Sequence, residues 1–385
     1  MVGDWPPTTF IKRKIDILSH TDKFKLMVGA YGKVPKNSYS FKVIRLPQIR
    51  DPLMIRVLWL LKYLIVGIFH PIKTLNIINI SKQYSINKKQ FFNRLLKYLS
   101  IAFLDFDVIH FEWVAYTSYF LPLLRYLNKV YTVSIRGSQI TIDPLLSEEY
   151  KKDLYEVLKG AVSIHCVSKA LENETKKIYK DARTKVIYNG IDTNLFKCKE
   201  KSASSELNIV FIGNLIWKKG IDSALFIFYR FLKKGGSGKM YIIGDGDEKE
   251  RMYSTMNNLG ISHNTFYLGK KTEKEVAEIL MDMDALLLPS FAEGLANVIL
   301  EAMATCTVPI VSNVHGNSEP IKHKENGFVF PLLDMEKPAS YLYYLYTHPD
   351  VLSKMKKSGR KTVEDRFTLS NMQKGHIEFF EEVLV

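Results

Sequence analysis

Two glutamates in the last third of the sequence are the residues best placed to do chemistry. Glu293 and Glu301 lie in the stretch DALLLPSFAEGLANVILEAMATCTVPIVSN, residues 284–313, with seven residues between them. The pattern predicts a buried strand, a loop that carries Glu293, and a helix that begins near Ala296. Unpaired N–H groups and the helix dipole at such a start favour a diphosphate, and Gly294 would let the backbone approach it. The two carboxylates could then face one ligand at different depths.

An isolated glutamate near a helix start more often only interacts favourably with the helix dipole and with solvent. Spacing alone therefore does not make Glu293 and Glu301 a catalytic pair. The functional interpretation depends on the rest of the sequence, and first on the elements that would position these residues.

Short apolar and β-branched runs alternate with longer helical patterns, which is typical of βαβ units and a parallel sheet. The predicted strands of the first half are 24–29, 41–46, 106–111, 130–135, 162–167 and 185–188. Those of the second half are 208–212, 239–243, 265–268, 284–288 and 308–312. Ligands of such sheets bind at the carboxyl ends of the strands, so we expect the chemistry in loops.

The predicted fold class is α/β, with two doubly wound Rossmann-like domains that face a cleft. The polar stretch KCKEKSASSEL, residues 197–207, has no periodicity and is predicted to link them. This gives an N-terminal domain, 1–197, and a C-terminal domain, 198–366, followed by a helix, 367–385, that packs back on the first domain. The sequence opens as though at the end of a first strand.

The composition is that of an ordinary globular protein. With 385 residues and 46% hydrophobic content, the chain is too long for one compact core, which agrees with two domains. Cys166, Cys198 and Cys306 are far apart, odd in number and without metal-ligand spacing. We therefore expect small buried thiols in a reducing, cytoplasmic compartment rather than a disulfide framework. The first residues lack the apolar run of a signal peptide.

The formal charge of +14 is concentrated in the first part of the chain. Residues 1–104 contain 18 Lys or Arg and 4 Asp or Glu, whereas residues 201–385 contain 22 and 23. This asymmetry predicts a polyanionic partner, either an anionic membrane surface or a nucleic acid. No recognised nucleic-acid motif accompanies the charge, so we favour the membrane and predict no nucleic-acid partner.

The stretch VLWLLKYLIVGIFH, residues 57–70, has two interpretations. Its mixture of Trp59, Ile65 and Phe69 with Lys62 is typical of a helix that lies in a membrane interface. It is too short and too charged to span a bilayer. A core helix with one solvated edge fits the same pattern at least as well.

The string EGLANVILEAMA, residues 293–304, resembles the signature of glycosyltransferase family 4, which comprises retaining enzymes of the GT-B fold. Other strings resemble the pattern of this family in the same order: VIYNGIDTNLF, IVFIGNLIWKKGID, YIIGDGDEKE, FYLGK, HGNSEPI and ENGFVFP. The resemblance covers roughly residues 105–380 and is specific in the C-terminal half. It implies the GT-B architecture and a nucleotide-sugar donor, a UDP- or GDP-sugar, that binds as a substrate without a further cofactor.

The resemblance also implies roles for single residues. Glu301 would hold the ribose hydroxyls, Glu293 would contact the transferred sugar, and Lys219 would neutralise the diphosphate. Backbone amides would complete the cradle, those of Leu295, Ala296 and Asn297. Further donor-binding positions are implied at Gly213, Asn214, Lys218, Gly269 and Gly294. A leaving nucleoside diphosphate gains negative charge, which a fixed cation and aimed N–H donors stabilise without a metal ion.

Two positions depart from the family pattern. Asn214 stands where the family has Arg, so one of two cations expected on the diphosphate is missing, and Lys218 is predicted to substitute. In VSIRGSQI, residues 133–140, Arg136 stands where the family has His. An arginine can hydrogen-bond a sugar hydroxyl or a phosphate, but it stays protonated and cannot shuttle a proton. The predicted catalytic residues are therefore Glu293, Lys219 and Arg136.

Other strings carry weaker signals. Three match a two-aspartate metal pattern that arises easily by chance: Asp105 with Asp107, Asp245 with Asp247, and Asp282 with Asp284. We interpret the middle pair as a tight turn with Gly244 and Gly246 and predict no metal site. These glycines do not complete a G-x-G-x-x-G string, which disfavours a redox dinucleotide. His110 and His165 lie in apolar strand patterns and are predicted to be core histidines.

The residues and the resemblance together predict a retaining, metal-independent hexosyltransferase. Its acceptor would be a saccharide or a lipid-linked saccharide of surface polysaccharide or glycolipid biosynthesis, bound by the basic N-terminal domain. We expect it in the cytoplasm or on the inner face of the membrane. Three alternatives stay open: a metal-dependent transferase that uses Asp245 and Asp247, a nucleic-acid binder, and a catalytically silent GT-B-like scaffold in a polysaccharide assembly complex. The changes at Asn214 and Arg136 are the best support for the scaffold.

Overall fold

Two parallel sheets organise the chain in a computed structural model that describes residues 1–4, 7–31, 41–48, 51–199 and 205–384. Within these residues the first sheet has seven strands: β1 (Val2–Asp4), β2 (Met27–Tyr31), β3 (Lys42–Leu46), β4 (Val108–Phe111), β5 (Val130–Ile135), β6 (Ser163–Cys166) and β7 (Thr184–Val186). The second sheet has six in the same described part: β8 (Leu207–Ile212), β9 (Gly238–Ile243), β10 (Thr265–Gly269), β11 (Ala285–Leu288), β12 (Val308–Ser312) and β13 (Phe328–Phe330). Residues 200–204 of the predicted linker lie outside the described residues.

Helices connect the strands of both sheets. Those of the first half are α1 (Thr9–Leu18), α2 (Leu53–Ile68), α3 (Pro71–Gln83), α4 (Lys88–Ala102), α5 (Val114–Leu127), α6 (Ser138–Thr141), α7 (Asp143–Leu146), α8 (Glu148–Gly160) and α9 (Lys169–Ile178). Those of the second half are α10 (Ile221–Lys233), α11 (Lys249–Asn258), α12 (Glu273–Leu280), α13 (Asn297–Ala304), α14 (Glu336–Thr347), α15 (Pro349–Arg366) and α16 (Leu369–Leu384). Short 3₁₀ turns cover Trp217–Lys219, Ser262–Asn264 and His315–Ser318.

Both sheets have the strand order of a doubly wound fold. The first is ordered β3-β2-β1-β4-β5-β6-β7 and the second β10-β9-β8-β11-β12-β13, and all described pairs are parallel. The order reverses between β1 and β4 and between β8 and β11. Open α/β sheets bind ligands in the crevice beyond such a reversal. The predicted α/β class with two Rossmann-like units is confirmed.

The central strands are apolar along their whole length. Every residue of β11 and of β12 is buried, because helices cover both faces of a parallel sheet. The last helix, α16, leaves the second sheet and lies against the first. Its Phe379 and Phe380 pack with Leu18 of α1 and with Ile187 beyond β7. The chain therefore crosses between the two halves twice.

The cysteines correct one expectation. Cys198 and Cys306 are 108 residues apart in the sequence, yet their Cα atoms are 5.2 Å apart and their sulfurs form a disulfide. The expectation of reduced thiols was wrong for this pair, because the fold brings the start of the second half beside the turn before β12. Cys166 is a free buried thiol, as predicted, and burial raises its pKa to about 12. The cysteine content therefore no longer argues for a reducing compartment.

The stretch predicted at 57–70 forms α2, which begins at Leu53 and ends at Ile68. Tyr63 and Gly67 are its buried residues. Large apolar side chains lie instead on its exposed side. Trp59, Leu60 and Tyr63 pack on the core of the first half, so α2 has one core-facing side, as the core-helix interpretation predicted, and a second apolar side that is exposed.

Candidate functional site

A cavity of about 280 Å³ lies between the two sheets, at the carboxyl ends of their strands. The first half of the chain lines it with Phe10, Trp113 and residues 136–139, which follow β5. The second half lines it with Lys218, Lys219 and residues 292–297. These two segments follow β8 and β11, so the cavity lies at the reversal of strand order in the second sheet.

Most of the predicted site residues line this cavity, namely Arg136, Lys218, Lys219, Glu293, Gly294, Leu295, Ala296 and Asn297. Four others do not line it: Gly213, Asn214, Gly269 and Glu301. Gly213 lies behind the Lys219 side chain, and Asn214 is exposed. The carbonyl of Gly269 accepts a hydrogen bond from the Gly244 N–H at 3.0 Å.

Lys219 and Glu293 meet directly in the cavity. Nζ of Lys219 donates to Oε1 of Glu293, and both side chains are largely buried. Lys219 ends a 3₁₀ turn that Gly220 terminates with a left-handed φ of 71°. A Cβ at Gly220 would overlap the carbonyl oxygen of Pro289, so glycine is required there. Lys219 therefore already has a carboxylate partner in this structure.

Gly294 allows a close contact between the two halves of the chain. A Cβ on this residue would overlap the carbonyl oxygen of Arg136. Gly294 was predicted from the sequence to let the backbone come close to a ligand. In the structure, the backbone of the first half occupies that space.

The amide of Ala296 has a hydrogen-bond partner within the chain. Its N–H donates to Oδ1 of Asn317 at 3.1 Å. Asn317 is fully buried in the 3₁₀ turn His315–Ser318, which follows β12. The contribution of Leu295, Ala296 and Asn297 to a diphosphate cradle stays a prediction. At Ala296 a ligand would compete with Asn317 for the N–H.

Glu112, which the sequence analysis did not single out, holds Arg136 in place. Nε of Arg136 donates to Oε2 of Glu112 at 3.0 Å, and the NH2 group donates to the same oxygen. Oε1 of Glu112 lies 2.9 Å from Nζ of Lys14, a fully buried residue of α1. Burial alone would raise the pKa of Glu112, but Arg136 and Lys14 hold it well below its ordinary value. Glu112 is thus a buried carboxylate anion between two cations.

The histidines beneath this ion network are buried, as predicted. Nδ1 of His110 lies 2.7 Å from Oγ1 of Thr132, and Nε2 of His165 lies 2.9 Å from the carbonyl oxygen of Ile187. Burial lowers the pKa of both rings, that of His110 to about 3. Both are therefore neutral core residues at physiological pH.

Glu301 contacts an arginine of the first half of the chain. NH2 of Arg13 lies 3.5 Å from Oε1 of Glu301 and also binds Glu273, the first residue of α12. NH1 of Arg13 donates to the carbonyl of Gly190 at 3.3 Å. Burial raises the pKa of Glu301, and Arg13 opposes this shift. Arg13 was not predicted from the sequence, since its two carboxylate partners lie 260 and 288 residues away.

The two-aspartate string Asp245 and Asp247 belongs to a tight turn, as interpreted. A Cβ on Gly244 would overlap the carbonyl oxygen of Gly213, and one on Gly246 would overlap that of Leu215. The turn thus packs on the loop that leads to Lys219. Across the described ranges, no three His, Cys, Asp or Glu side chains are grouped to hold a metal ion.

Residues 192–362 match the family described as Glycosyl transferases group 1. The match lies within the second half of the chain, and the matched segment is called the group 1 domain below. It contains the whole second sheet, both lysines of the cavity, the loop 292–297 and Glu301. It therefore supplies one wall of the cavity, and the first domain supplies the other.

Relatives of the chain support this assignment. An uncharacterized glycosyltransferase of Methanocaldococcus jannaschii is 30% identical over 257 residues, which cover 61% of this chain and 65% of that protein. The UDP-Gal:alpha-D-GlcNAc-diphosphoundecaprenol alpha-1,3-galactosyltransferase of Escherichia coli is 28% identical over 220 residues, 52% of this chain and 56% of that protein. The chain thus matches less than two thirds of the length of either relative.

The similarity in three dimensions extends over both domains. The HepE protein of Anabaena, solved in complex with UDP and glucose, gives a TM-score of 0.70 at 15% identity. The match covers 99% of this chain and 98% of that one. At this identity the likeness concerns the fold, which is GT-B, as predicted.

Proposed function

We propose that this chain is a glycosyltransferase that moves a hexose-type sugar from a UDP- or GDP-sugar to a saccharide or lipid-linked saccharide. One observation carries the proposal: a cavity between two Rossmann-like domains brings Lys218, Lys219 and the start of α13 together with Arg136. Three cations and a helix start converge where a diphosphate would need them. The name of the E. coli relative contains such a donor and a diphospholipid-linked acceptor.

The Lys219–Glu293 contact gives the binding step a specific form in this proposal. The diphosphate draws Lys219 away from Glu293, and the carboxylate that is released accepts a hydrogen bond from a hydroxyl of the transferred sugar. Lys218 provides the second cation, since Asn214 carries no charge. Arg136, which Glu112 orients, meets the donor from the opposite domain.

We further propose that the reaction needs no divalent metal and retains the anomeric configuration. Positive charge at the leaving group comes from Lys218, Lys219 and the α13 amides, which is the role a metal ion plays in other transferases. Retention is supported by the resemblance of the string at residues 293–304. Transfer in excess chelator tests the first statement. The anomeric coupling constant of the new glycosidic bond, measured by NMR and compared with that of the donor, tests the second.

The same resemblance supports surface polysaccharide or glycolipid biosynthesis at the cytoplasmic face of a membrane as the proposed setting. The acceptor would bind to the first domain, which carries the excess positive charge. Competition between candidate acceptors in the transfer assay tests this part of the proposal.

A screen of UDP-, GDP- and ADP-sugars for thermal stabilisation identifies the donor, because a ligand that binds the native state raises the melting temperature by mass action. Transfer and donor hydrolysis are then compared for wild type, Glu293→Gln and Glu325→Gln, an exposed control in the same domain. We expect activity in wild type and Glu325→Gln and its loss in Glu293→Gln. No stabilisation by any nucleotide sugar, or full activity of Glu293→Gln, would overturn the proposal.

A second candidate, a catalytically silent scaffold, is favoured by one feature of the site. Lys219 pairs with Glu293, and Arg13 lies beside Glu301, so cations of the chain itself occupy both predicted donor carboxylates. Such a protein would neither transfer nor hydrolyse any nucleotide sugar with any acceptor, and wild type and Glu293→Gln would be equally inactive.

A further inference from the structure

Helices α2 and α3 expose an apolar face that no described part of the chain covers. The side of α2 opposite Tyr63 and Gly67 is open to solvent. The exposed large apolar side chains are Leu53, Met54, Val57, Leu58, Leu61, Leu64, Ile65 and Ile68 of α2, Phe69 of the following turn, and Ile72 and Leu75 of α3. These residues are called the α2–α3 face below.

An ordinary surface helix turns its one apolar stripe towards the core, whereas α2 has a second apolar stripe besides the one that packs on the core with Trp59, Leu60 and Tyr63. Here Leu58, Leu61, Ile65 and Ile68 recur at intervals of three and four residues on the outer side. Exposure is greatest at the turn between the helices, with 78% of Phe69 and 76% of Ile72 open to solvent. Contiguous apolar patches of this kind mark interaction sites with proteins or membranes.

The charge around the face is of one sign. Residues 52–104 contain eight Lys or Arg and no Asp or Glu. Lys62 lies on the exposed side of α2, and its Nζ is 4.9 Å from the centre of the Trp59 ring. Around the α3–α4 turn, where Ile86 is 91% exposed, three more lysines are exposed: Lys82, Lys88 and Lys89. Apolar side chains edged by cations are typical of helices in an anionic membrane interface.

We propose that the α2–α3 face docks on an anionic lipid bilayer, with Phe69 and its neighbours among the acyl chains and the lysines at the headgroups. Of the helices that the structure describes, none has both the length and the hydropathy needed to cross a membrane. The 16 residues of α2 measure about 24 Å, less than the hydrocarbon thickness of about 30 Å, so the helix lies along the interface.

A bilayer suits this surface better than a second copy of the chain. An isologous contact between two α2–α3 faces would bury the apolar side chains, but it would also bring Lys62 and its neighbours against their own copies. Anionic headgroups neutralise these lysines, while the acyl chains cover the apolar residues. One partner then accounts for both features.

Docking of the α2–α3 face on a bilayer does not depend on the proposed catalysis. The α2–α3 face lies on the connection from β3 to β4, and none of its residues lines the interdomain cavity. Membrane binding can therefore be measured without turnover, and a failure of either proposal leaves the other standing.

Vesicle flotation of the full chain tests the inference. Vesicles of phosphatidylcholine alone are compared with vesicles that contain about a third phosphatidylglycerol, at low and high salt. Wild type should float with the anionic vesicles, and salt should weaken binding because it screens the headgroups. The Ile68→Glu/Phe69→Glu variant should bind at least about tenfold more weakly, because two exposed apolar side chains that would enter the acyl chains become charged. The Lys62→Gln/Lys88→Gln/Lys89→Gln variant should lose the preference for anionic lipid.

A matched control uses two exposed leucines outside the face. Leu145 and Leu146 of α7 are 83% and 79% exposed, and Leu145→Glu/Leu146→Glu should float like wild type. Thermal melting of every variant separates lost binding from lost folding. Wild type that binds neither vesicle, a face variant that floats normally, or a control that binds as weakly as the face variant would overturn the inference. A dimer that Ile68→Glu/Phe69→Glu dissociates, without vesicle binding by wild type, would assign the face to a second copy instead.

Discussion

Replacing Glu301 by glutamine tests whether this carboxylate binds the ribose of a nucleotide sugar. The substitution keeps the shape of the side chain and one acceptor oxygen, but it removes the negative charge. In the structure this charge faces Arg13, whose NH2 lies 3.5 Å from Oε1. We expect the ribose hydroxyls of a bound donor to replace Arg13 as the hydrogen-bond partners of this carboxylate.

The size of the effect follows from the burial of the site. Glu301 exposes 15% of its side chain, so solvent screens its interactions only weakly. A hydrogen bond to a charged group contributes about 1.5–3 kcal/mol, and the loss of one such bond corresponds to a roughly 10- to 100-fold increase in Kd. Titration calorimetry with UDP, or with the nucleotide found in the thermal screen, measures this change.

Glu273→Gln is the matched control for this experiment. Glu273 is the other carboxylate partner of Arg13 and comes from the same domain. Its loss should change nucleotide affinity by less than about threefold, or under 1 kcal/mol. Equal losses in Glu273→Gln and Glu301→Gln would mean that the Arg13 contact between domains, not a ribose contact, controls binding. Unchanged affinity in Glu301→Gln would refute the assignment outright.

Three further predictions concern the rest of the site and the fold. Lys219→Met should reduce the rate of transfer about 100-fold or more because the leaving diphosphate loses its cation. Lys234→Met, on the outside of the same domain, should leave the rate unchanged. Chromatography of the product measures both rates, and an active Lys219→Met protein would contradict the role of Lys219. Glu112→Gln should destabilise the fold by about 3–5 kcal/mol in urea unfolding, since Lys14 and Arg136 lose their counter-charge. Because the pKa of Glu112 is depressed in the folded state, this carboxylate stabilises the fold fully above its ordinary pKa of 4.5. The stabilisation is lost as pH falls through the lower pKa of the folded state. The free energy of unfolding of wild type should therefore fall in acid, and that of Glu112→Gln should fall less. Reduction of the Cys198–Cys306 bond should lower the free energy of unfolding by about 4–5 kcal/mol in the chain-entropy model, and a melting temperature insensitive to reductant in wild type would contradict the disulfide.

Local patterns predicted most strands of the fold because buried parallel strands are continuous apolar runs. The run at 308–312 coincides with β12, and the run at 208–212 differs from β8 by one residue. The three-residue strand Phe328–Phe330 was missed, since so short a run carries no periodicity and is defined by its pairing with β12. The disulfide was missed for a related reason, because sequence spacing does not report distance in the fold.

The site residues likewise include some that could be placed from the sequence and one that could not. Lys219 and Glu293 follow strands that flank the reversal of strand order, so they could be placed at the cavity from sequence. Glu112 could have been found by the same rule, because it directly follows β4 as Arg136 directly follows β5. Arg13 had no such signal. Its carboxylate partners, Glu273 and Glu301, belong to the other domain, and only the assembled fold brings them together.

Arg13 and Lys14 are consecutive residues of α1, yet the first binds carboxylates of the group 1 domain and the second binds Glu112 of its own domain. Neighbouring positions on a helix point about 100° apart, so one turn of α1 reaches in both directions at once. The loss or gain of a single residue in α1 ahead of this pair would rotate both cations away from their partners. Substitutions at other positions of α1 leave the directions of Arg13 and Lys14 unchanged, whereas a change in the length of this turn does not.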